Sequence, residues 1–521
     1  MFLQNFNPLV LIESVLFIYA SYALGDAVLR LAGFDLSSRI KRVVYRLLIG
    51  YGIFALIGLV LALVGLFNAA ALRIAFFAVL IFSARTIFSH LCGLARLGFV
   101  HKNLSGLFRD YPFFKALIAL WLFANIFIVF VPITGWDALD YHLPIINDII
   151  TKERADFTPA IPSYNYLPIL AEIFYAVPIV LFGETGAPYV FQFLMYSVLP
   201  LLLALIYDFL RDRVADRRLA IAAPLLILSL FDFQREIMHA GYIDVFVFLF
   251  SIASTLLLIE AAASRTIQQS GIVLSAAMLG IALSMKYLAF FSLATNGLLL
   301  AILAWRAREG LGWLVRWGSV CLLVIAAIAG YWYVRNAAWF GSPVYPMFSS
   351  AEFTGAVENL IVERTPQNFF LFPFARFGRW FSDPNETSSR LVPLAYFGVL
   401  YILLPLTIFV RHRLSAAEAL LLLAMGLWLL FSFLTSHQIR FLLPAVLFLV
   451  PFLVLLADSI LASIRTRLAG TGALASRLAV GALGLLFVVT FLGNFHYFQI
   501  RFLYAFGVYT EEQYIGSIGS Q

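Results

Sequence analysis

The chain has 521 residues, of which 63% are hydrophobic and only 12% charged. Runs of about 20 apolar residues recur along it, each long enough to cross a hydrocarbon core roughly 30 Å thick. These proportions exclude a soluble globular protein, and the lack of short alternating segments excludes a transmembrane β-barrel. The net charge of +7 divides by side of the membrane, and no nucleic-acid partner is expected.

In chain order the predicted elements are membrane helices over about 9–32, 45–66, 70–88, 115–134, 187–209, 218–233, 241–263, 270–286, 288–305, 314–336, 391–410, 416–435, 440–461 and 474–496, roughly 14 spans in all. Residues 1–7 carry no basic stretch and no small-residue cleavage site follows, so the first span is expected to be retained. With these spans, about 23 of the 35 Lys+Arg fall on one side and about 12 on the other. The positive-inside rule makes the first side cytoplasmic, and the acidic residues divide the opposite way. Both termini are then extracytoplasmic, and the protein sits in the plasma (inner) membrane. Cys92 and Cys321 are expected near cytoplasmic span ends and form neither a disulfide framework nor a metal pair.

Two extramembrane segments are long, about 135–186 and 337–390, and both lie outside; loops of this length are usually functional or disordered. Their Trp, Tyr, Phe and Pro content reads as ordered structure. A helix is expected over Asp137 to Lys152. The stretch Leu167 to Gly183 is apolar enough to lie along the interface or dip into the membrane. If it crossed, every later loop would change side and the charge bias would break, so it is expected to be interfacial. The cytoplasmic loops are short, and no glycine-rich phosphate loop follows a strand. Chemistry is therefore expected outside.

The first outer loop begins Gly135-Trp136-Asp137-Ala138-Leu139-Asp140-Tyr141-His142-Leu143-Pro144, two carboxylates and an imidazole at the membrane edge. Ionisable groups at that depth are costly unless they face a cavity or a partner. Asp137 and Asp140 are three apart and share a helix face with Tyr141; His142 points elsewhere unless the helix begins later. Two close carboxylates can hold a divalent cation such as Mg or Mn, with His142 as a third candidate ligand, or one can act as a base. The bland alternative is a helix start capped by Asp137. Further polar residues gather on the same side: Arg235, Glu236 and His239; Lys286 and Tyr287; Arg335; and Arg440. Cations there can bind a lipid phosphate or snorkel to headgroups. Trp332, Tyr333, Trp339 and Trp380 can stack on a sugar or belong to the aromatic belt.

Taken in order, Asp137-Ala-Leu-Asp140-Tyr141-His142, Tyr166-Leu-Pro168, Leu181-Phe-Gly183, Gly241-Tyr-Ile-Asp244, Met285-Lys286-Tyr287, Trp332-Tyr-Val-Arg335-Asn336, Phe340-Gly-Ser-Pro-Val-Tyr-Pro346 and Arg440-Phe-Leu-Leu-Pro444 resemble the GT-C superfamily. These are polytopic glycosyltransferases with lipid-linked donors, and the likeness is to bacterial relatives of protein O-mannosyltransferase and lipid A aminoarabinose transferase. The resemblance covers about 115–465 and implies a GT-C-like helical bundle over 111–465. A three-span extension (1–110) precedes it, and a span with an extracytoplasmic tail (466–521) follows. It also implies that the acidic residue of the first outer loop, here Asp137, is the catalytic base, with Asp140 as nearest substitute. Relatives often carry an adjacent acidic pair, whereas this chain spaces its two by three, which leaves their division of labour open.

The residues fit that chemistry. A sugar on polyprenyl phosphate leaves as a lipid phosphate, while an acceptor hydroxyl needs a positioned carboxylate to take its proton. The leaving phosphate needs positive charge, which Lys286, Arg335 and Arg440 can supply; one base implies inversion, since a covalent retaining route would need a nucleophile placed opposite a second acid. Tyr141, His142, Arg235, His239 and Tyr287 complete the expected substrate site. The acceptor can be a glycan, a lipid or a protein, with membrane lipids as the other partners. The rivals are a lipid or polysaccharide transporter, which would favour matching halves and charges inside its spans, and an envelope polysaccharide ligase or polymerase.

Overall fold

The structure is a computed structural model. It describes residues 8–95, 112–135, 137–156, 165–183, 187–230, 243–346, 365–371, 413–435, 439–467 and 495–519, with a few isolated positions besides. Among these residues the regular elements are all helical.

In order they are α1 (Pro8–Leu31), α2 (Arg39–Leu63), α3 (Ala69–Phe82), α4 (Ala84–Ala95) and α5 (Pro112–Asn125), which tightens into a 3₁₀ turn at Ile126–Phe130. A π-helical turn at Ala138–His142 leads into α6 (Leu143–Lys152), followed by α7 (Leu170–Phe182), α8 (Ala187–Arg211) and α9 (Arg217–Ser229). Then come α10 (Asp244–Ser264), α11 (Gln269–Leu283), a 3₁₀ turn at Tyr287–Ala289, α12 (Phe290–Arg306) and α13 (Leu311–Phe340). The chain continues with α14 (Pro366–Leu371), α15 (Ala416–Thr435), α16 (Leu443–Arg467), α17 (Phe495–Ala505) and α18 (Glu511–Gly519).

Eight of the described helices are long and apolar enough to cross a membrane, and a ninth is added if α3 and α4, bent by 60° at their junction, make one broken span. The protein is thus a multi-pass, all-helical membrane protein. Every expected span that falls on described residues coincides with a helix, although Lys115–Phe130, Leu219–Ser229 and Gln269–Leu283 are shorter than a full crossing. The figure of about 14 spans is not reached among the described residues, because these three helices are short and the spans expected over 391–410 and 474–496 lie mostly outside them.

Caps set several helix starts. Ser38 and Asn68 accept the backbone N–H groups of Lys41 and Ala71 at 2.9 and 3.0 Å. Ser415 and Glu418 exchange reciprocal bonds, Ser415 N–H to Glu418 Oε2 and Glu418 N–H to Ser415 Oγ, which satisfy donors that a helix start leaves open. Within the bundle α10 is the hub, packed against α8, α11, α12 and α15 and lined with buried residues on all faces. A helix apolar all round belongs in such a place.

Small residues let the N-terminal helices close on the rest. A Cβ at Gly50 would lie 1.8 Å from the Ser21 carbonyl oxygen on α1, and one at Gly58 would lie 2.7 Å from Val177 on α7. This packing corrects one expectation. Residues 167–183 were expected to lie along the interface, but α7 is enclosed by α1, α2, α3, α6 and α8, with eleven of its thirteen residues buried. Its 13 residues span about 20 Å, too short for a full crossing, and its apolar run serves the protein core instead.

The bundle has two distinct ends. Lys41, Arg213 and Glu260 meet at one, with Arg306 donating to the Ala262 carbonyl. The 165–172 segment, Lys286 and Arg335 meet at the other.

Candidate active site

The acidic turn owes its shape to Pro144. In a regular α-helix the proline ring would clash with the carbonyl of Asp140 and supply no N–H to it. The backbone widens instead, and the Leu143 N–H reaches back five residues to Ala138. Such π turns recur at functional sites. The extended approach to the turn is pinned where the Gln192 amide donates to the Val131 carbonyl at 2.7 Å.

Asp137 stands at the first position of this turn. It makes no capping hydrogen bond; its carboxylate accepts the Tyr141 hydroxyl at 2.9 Å. The side chain is buried, 7% exposed, whereas Asp140 is half-buried. The two acids therefore share a turn but not an environment. Asp137 is desolvated and oriented, the two conditions that favour a general base.

His142 turns inward. Its Nδ1 donates to Glu172 Oε1 at 2.6 Å, and each side chain is 1% exposed. Glu172 lies in the first turn of α7 amid an otherwise apolar sequence. It was not among the residues singled out from the sequence, although a lone carboxylate in an apolar run is itself a signal. The Leu170 N–H, two residues before, donates to the Ser284 carbonyl, which ties α7 to the turn carrying Lys286.

Lys286 forms an ion pair with Asp244 at 2.9 Å; the lysine is 12% exposed and the aspartate 3%. The ammonium also lies 5.7 Å from the centre of the Phe441 ring. Asp244 opens α10, so its carboxylate also faces the positive end of that helix dipole.

Arg335 and Asn336 perform a different task. The Arg335 guanidinium donates to the carbonyls of Asn165 and Leu167 at 2.8 and 3.0 Å and to the Asn336 side-chain oxygen at 2.9 Å. It is flanked by the rings of Trp332 and Trp339 at 4.8 and 4.9 Å, a stacked geometry suited to arginine. Asn336 donates to the Tyr166 carbonyl and to the Tyr287 hydroxyl, whose single proton lies between the carbonyls of Tyr345 at 2.9 Å and Tyr166 at 3.1 Å. Together these residues clamp the 165–167 segment to the end of α13.

Among the expected site residues, the structure thus gathers Asp137 and Tyr141 on one turn, joins His142 to α7, and places Lys286, Tyr287 and Arg335 around the segment that leads into α7. Arg235, Glu236, His239 and Trp380 lie outside the described residues, as does the side chain of Arg440. Trp332 is fully buried and the Tyr333 hydroxyl donates inward to the Leu283 carbonyl, whereas Trp339 is 41% exposed. Among the described residues no group of three His, Cys, Asp or Glu side chains gathers to hold a metal ion. Asp244, Glu172, Asn165 and Asn336 join the site from outside the expected set.

No model of a protein family matches the chain, and no curated protein matches it. Among solved structures it is similar to a crystal structure of ArnT from Cupriavidus metallidurans bound to undecaprenyl phosphate. The identity is 15% and the TM-score 0.46, with 79% of this chain and 76% of that chain covered.

Proposed function

We propose that this protein is an integral membrane glycosyltransferase of the GT-C kind. It moves a sugar from a polyprenyl-phosphate donor to an acceptor hydroxyl at the extracytoplasmic face of the plasma membrane. The observation that carries this reading is Asp137, a buried carboxylate held by the Tyr141 hydroxyl rather than spent on a helix cap. The ordered series of motifs from Asp137 to Arg440 supports it.

As the acceptor oxygen attacks the anomeric carbon, Asp137 takes its proton. The bond from that carbon to the phosphate oxygen breaks, and its electron pair leaves with the polyprenyl phosphate. Fixed cations stabilise the charge that develops there; Lys286 fits that task, with Arg440 beside it in the motif series. Arg335, whose guanidinium is bonded to carbonyls, holds the loop and contributes its field. With one carboxylate as base, the product has inverted anomeric configuration. A divalent ion on Asp137 and Asp140 would add charge at the same place.

The test is transfer by the purified protein in lipid nanodiscs supplied with polyprenyl-phosphate sugars. Asp137→Asn should lower turnover by about 10³-fold with the thermal melt unchanged, and Asp140→Asn should lower it far less. Wild-type turnover in the Asp137→Asn protein would overturn the assignment of the base. Loss of transfer on chelation, and its return with Mg or Mn, would show the metal.

A further inference from the structure

We infer that Glu172 is a positioning residue: by holding His142 it locks the π turn of 138–142 and so sets the place of the Asp137 carboxylate. This rests on the reading of Asp137 as the base. The turn needs such a lock. Its hydrogen bonds are displaced by one residue, a poorer geometry that persists only where tertiary contacts support it. Pro144 offers no N–H to the Asp140 carbonyl, so the backbone bond that would normally stiffen the turn at that point is missing. At the upstream end the Leu139 N–H reaches the Gly135 carbonyl at 3.0 Å. At the downstream end the Leu143 N–H closes back on the Ala138 carbonyl, and the contact that ties this end to another helix is the His142 side chain.

The anchor is exclusive on both sides. His142 Nε2 and Glu172 Oε2 are buried and have no hydrogen-bond partner among the described residues, so each group depends on the other for its bond at 2.6 Å. Removing one strands the other in a place from which water is excluded, which is the costly case for buried polar pairs. Glu172 is also well mounted. It sits on the enclosed helix α7, two residues after Leu170, whose N–H binds Ser284 at 3.0 Å, and Ser284 is two residues before Lys286. One rigid helix therefore sets the acidic turn and the cation-bearing turn against each other, a precision that catalysis by positioning requires.

The experiment compares Glu172→Leu, which removes the acceptor, with Glu172→Gln, which keeps a carbonyl for the His142 N–H. Both are made in the full chain in lipid nanodiscs, with amide hydrogen exchange and transfer as readouts. In Glu172→Leu, amides 138–143 should exchange at least about tenfold faster while those of α10 stay as in the wild type. Turnover should fall about tenfold at a donor KM within about twofold. In Glu172→Gln, exchange should remain within about threefold of wild type and most of the turnover should return. Unchanged exchange at 138–143 in Glu172→Leu would overturn the proposal. So would exchange that rises equally in α7 and α10, or a Glu172→Gln protein as impaired as Glu172→Leu. If the wild-type protein transfers no sugar, the transferase reading fails, and the exchange pattern still decides whether Glu172 holds the turn.

Discussion

At the basic end of the bundle Glu260 meets Lys41 at 2.5 Å and Arg213 at 3.5 Å, beside a cleft of about 510 Å³ that also exposes Asp35 and Asp212. Asp208 there pairs with Arg211, and Asp26 pairs with both Arg30 and Arg46. At the opposite end Asp137 accepts a tyrosine hydroxyl, Glu172 accepts an imidazole, and the guanidinium of Arg335 is bonded to carbonyls. The basic end uses charge to hold helices together across partly wet ground. The opposite end keeps a buried carboxylate oriented by a tyrosine hydroxyl rather than by a cation.

The comparison can be broken hardest at Arg335. Arg335→Ala would leave the carbonyls of Asn165 and Leu167 and the Asn336 oxygen without their shared donor in a buried site. A loss of about 3 kcal/mol is expected, read as a lowered thermal midpoint in detergent. Arg335→Lys should recover little of it, because an ammonium cannot fork to several acceptors while stacking between Trp332 and Trp339. Recovery by lysine would mean that charge alone matters at this position.

How much of this was legible depends on whether a residue's partner lies nearby in sequence. The spans follow from composition, and the acidic turn stood out because Asp137, Asp140 and His142 are close together at the end of an apolar run. The Tyr141 contact with Asp137, four residues away, was legible as a shared face. Glu172 was hidden in a stretch read as interfacial, and its partner His142 lies 30 residues upstream; only the enclosure of α7 by the N-terminal helices brings them together. Arg335 and Lys286 looked alike as cations on the outer side. Their difference rests on Asn165, Leu167 and Asp244, supplied by other parts of the chain, and on the Trp332 and Trp339 rings, whose spacing along α13 did not by itself announce a clamp.

A smaller effect is expected at Lys286. Lys286→Met would leave the Asp244 carboxylate buried without its ammonium, a loss of about 2 kcal/mol. The double change with Asp244→Leu should regain much of that, since breaking a buried pair costs more than replacing it with apolar groups. The double variant should nevertheless bind polyprenyl phosphate more weakly than the wild type, measured by lipid retention in native mass spectrometry. Full retention would remove Lys286 from the proposed phosphate contacts.

The smallest effect belongs to the basic end. Glu260 is 16% exposed, and its partners Lys41 and Arg213 are 14% and 26% exposed, so solvent and salt reach the pair. Glu260→Gln should cost about 1 kcal/mol or less at low salt, and the difference from wild type should shrink as ionic strength rises and the Debye length falls to about 3 Å near 1 M. The same salt series applied to Glu172→Leu should change little, because its partner is sealed from solvent. Equal salt dependence at the two ends would mean that the 142–172 pair is wetter than its 1% exposure implies, and the distinction between a screened clamp and a dry positioning contact would fall with it.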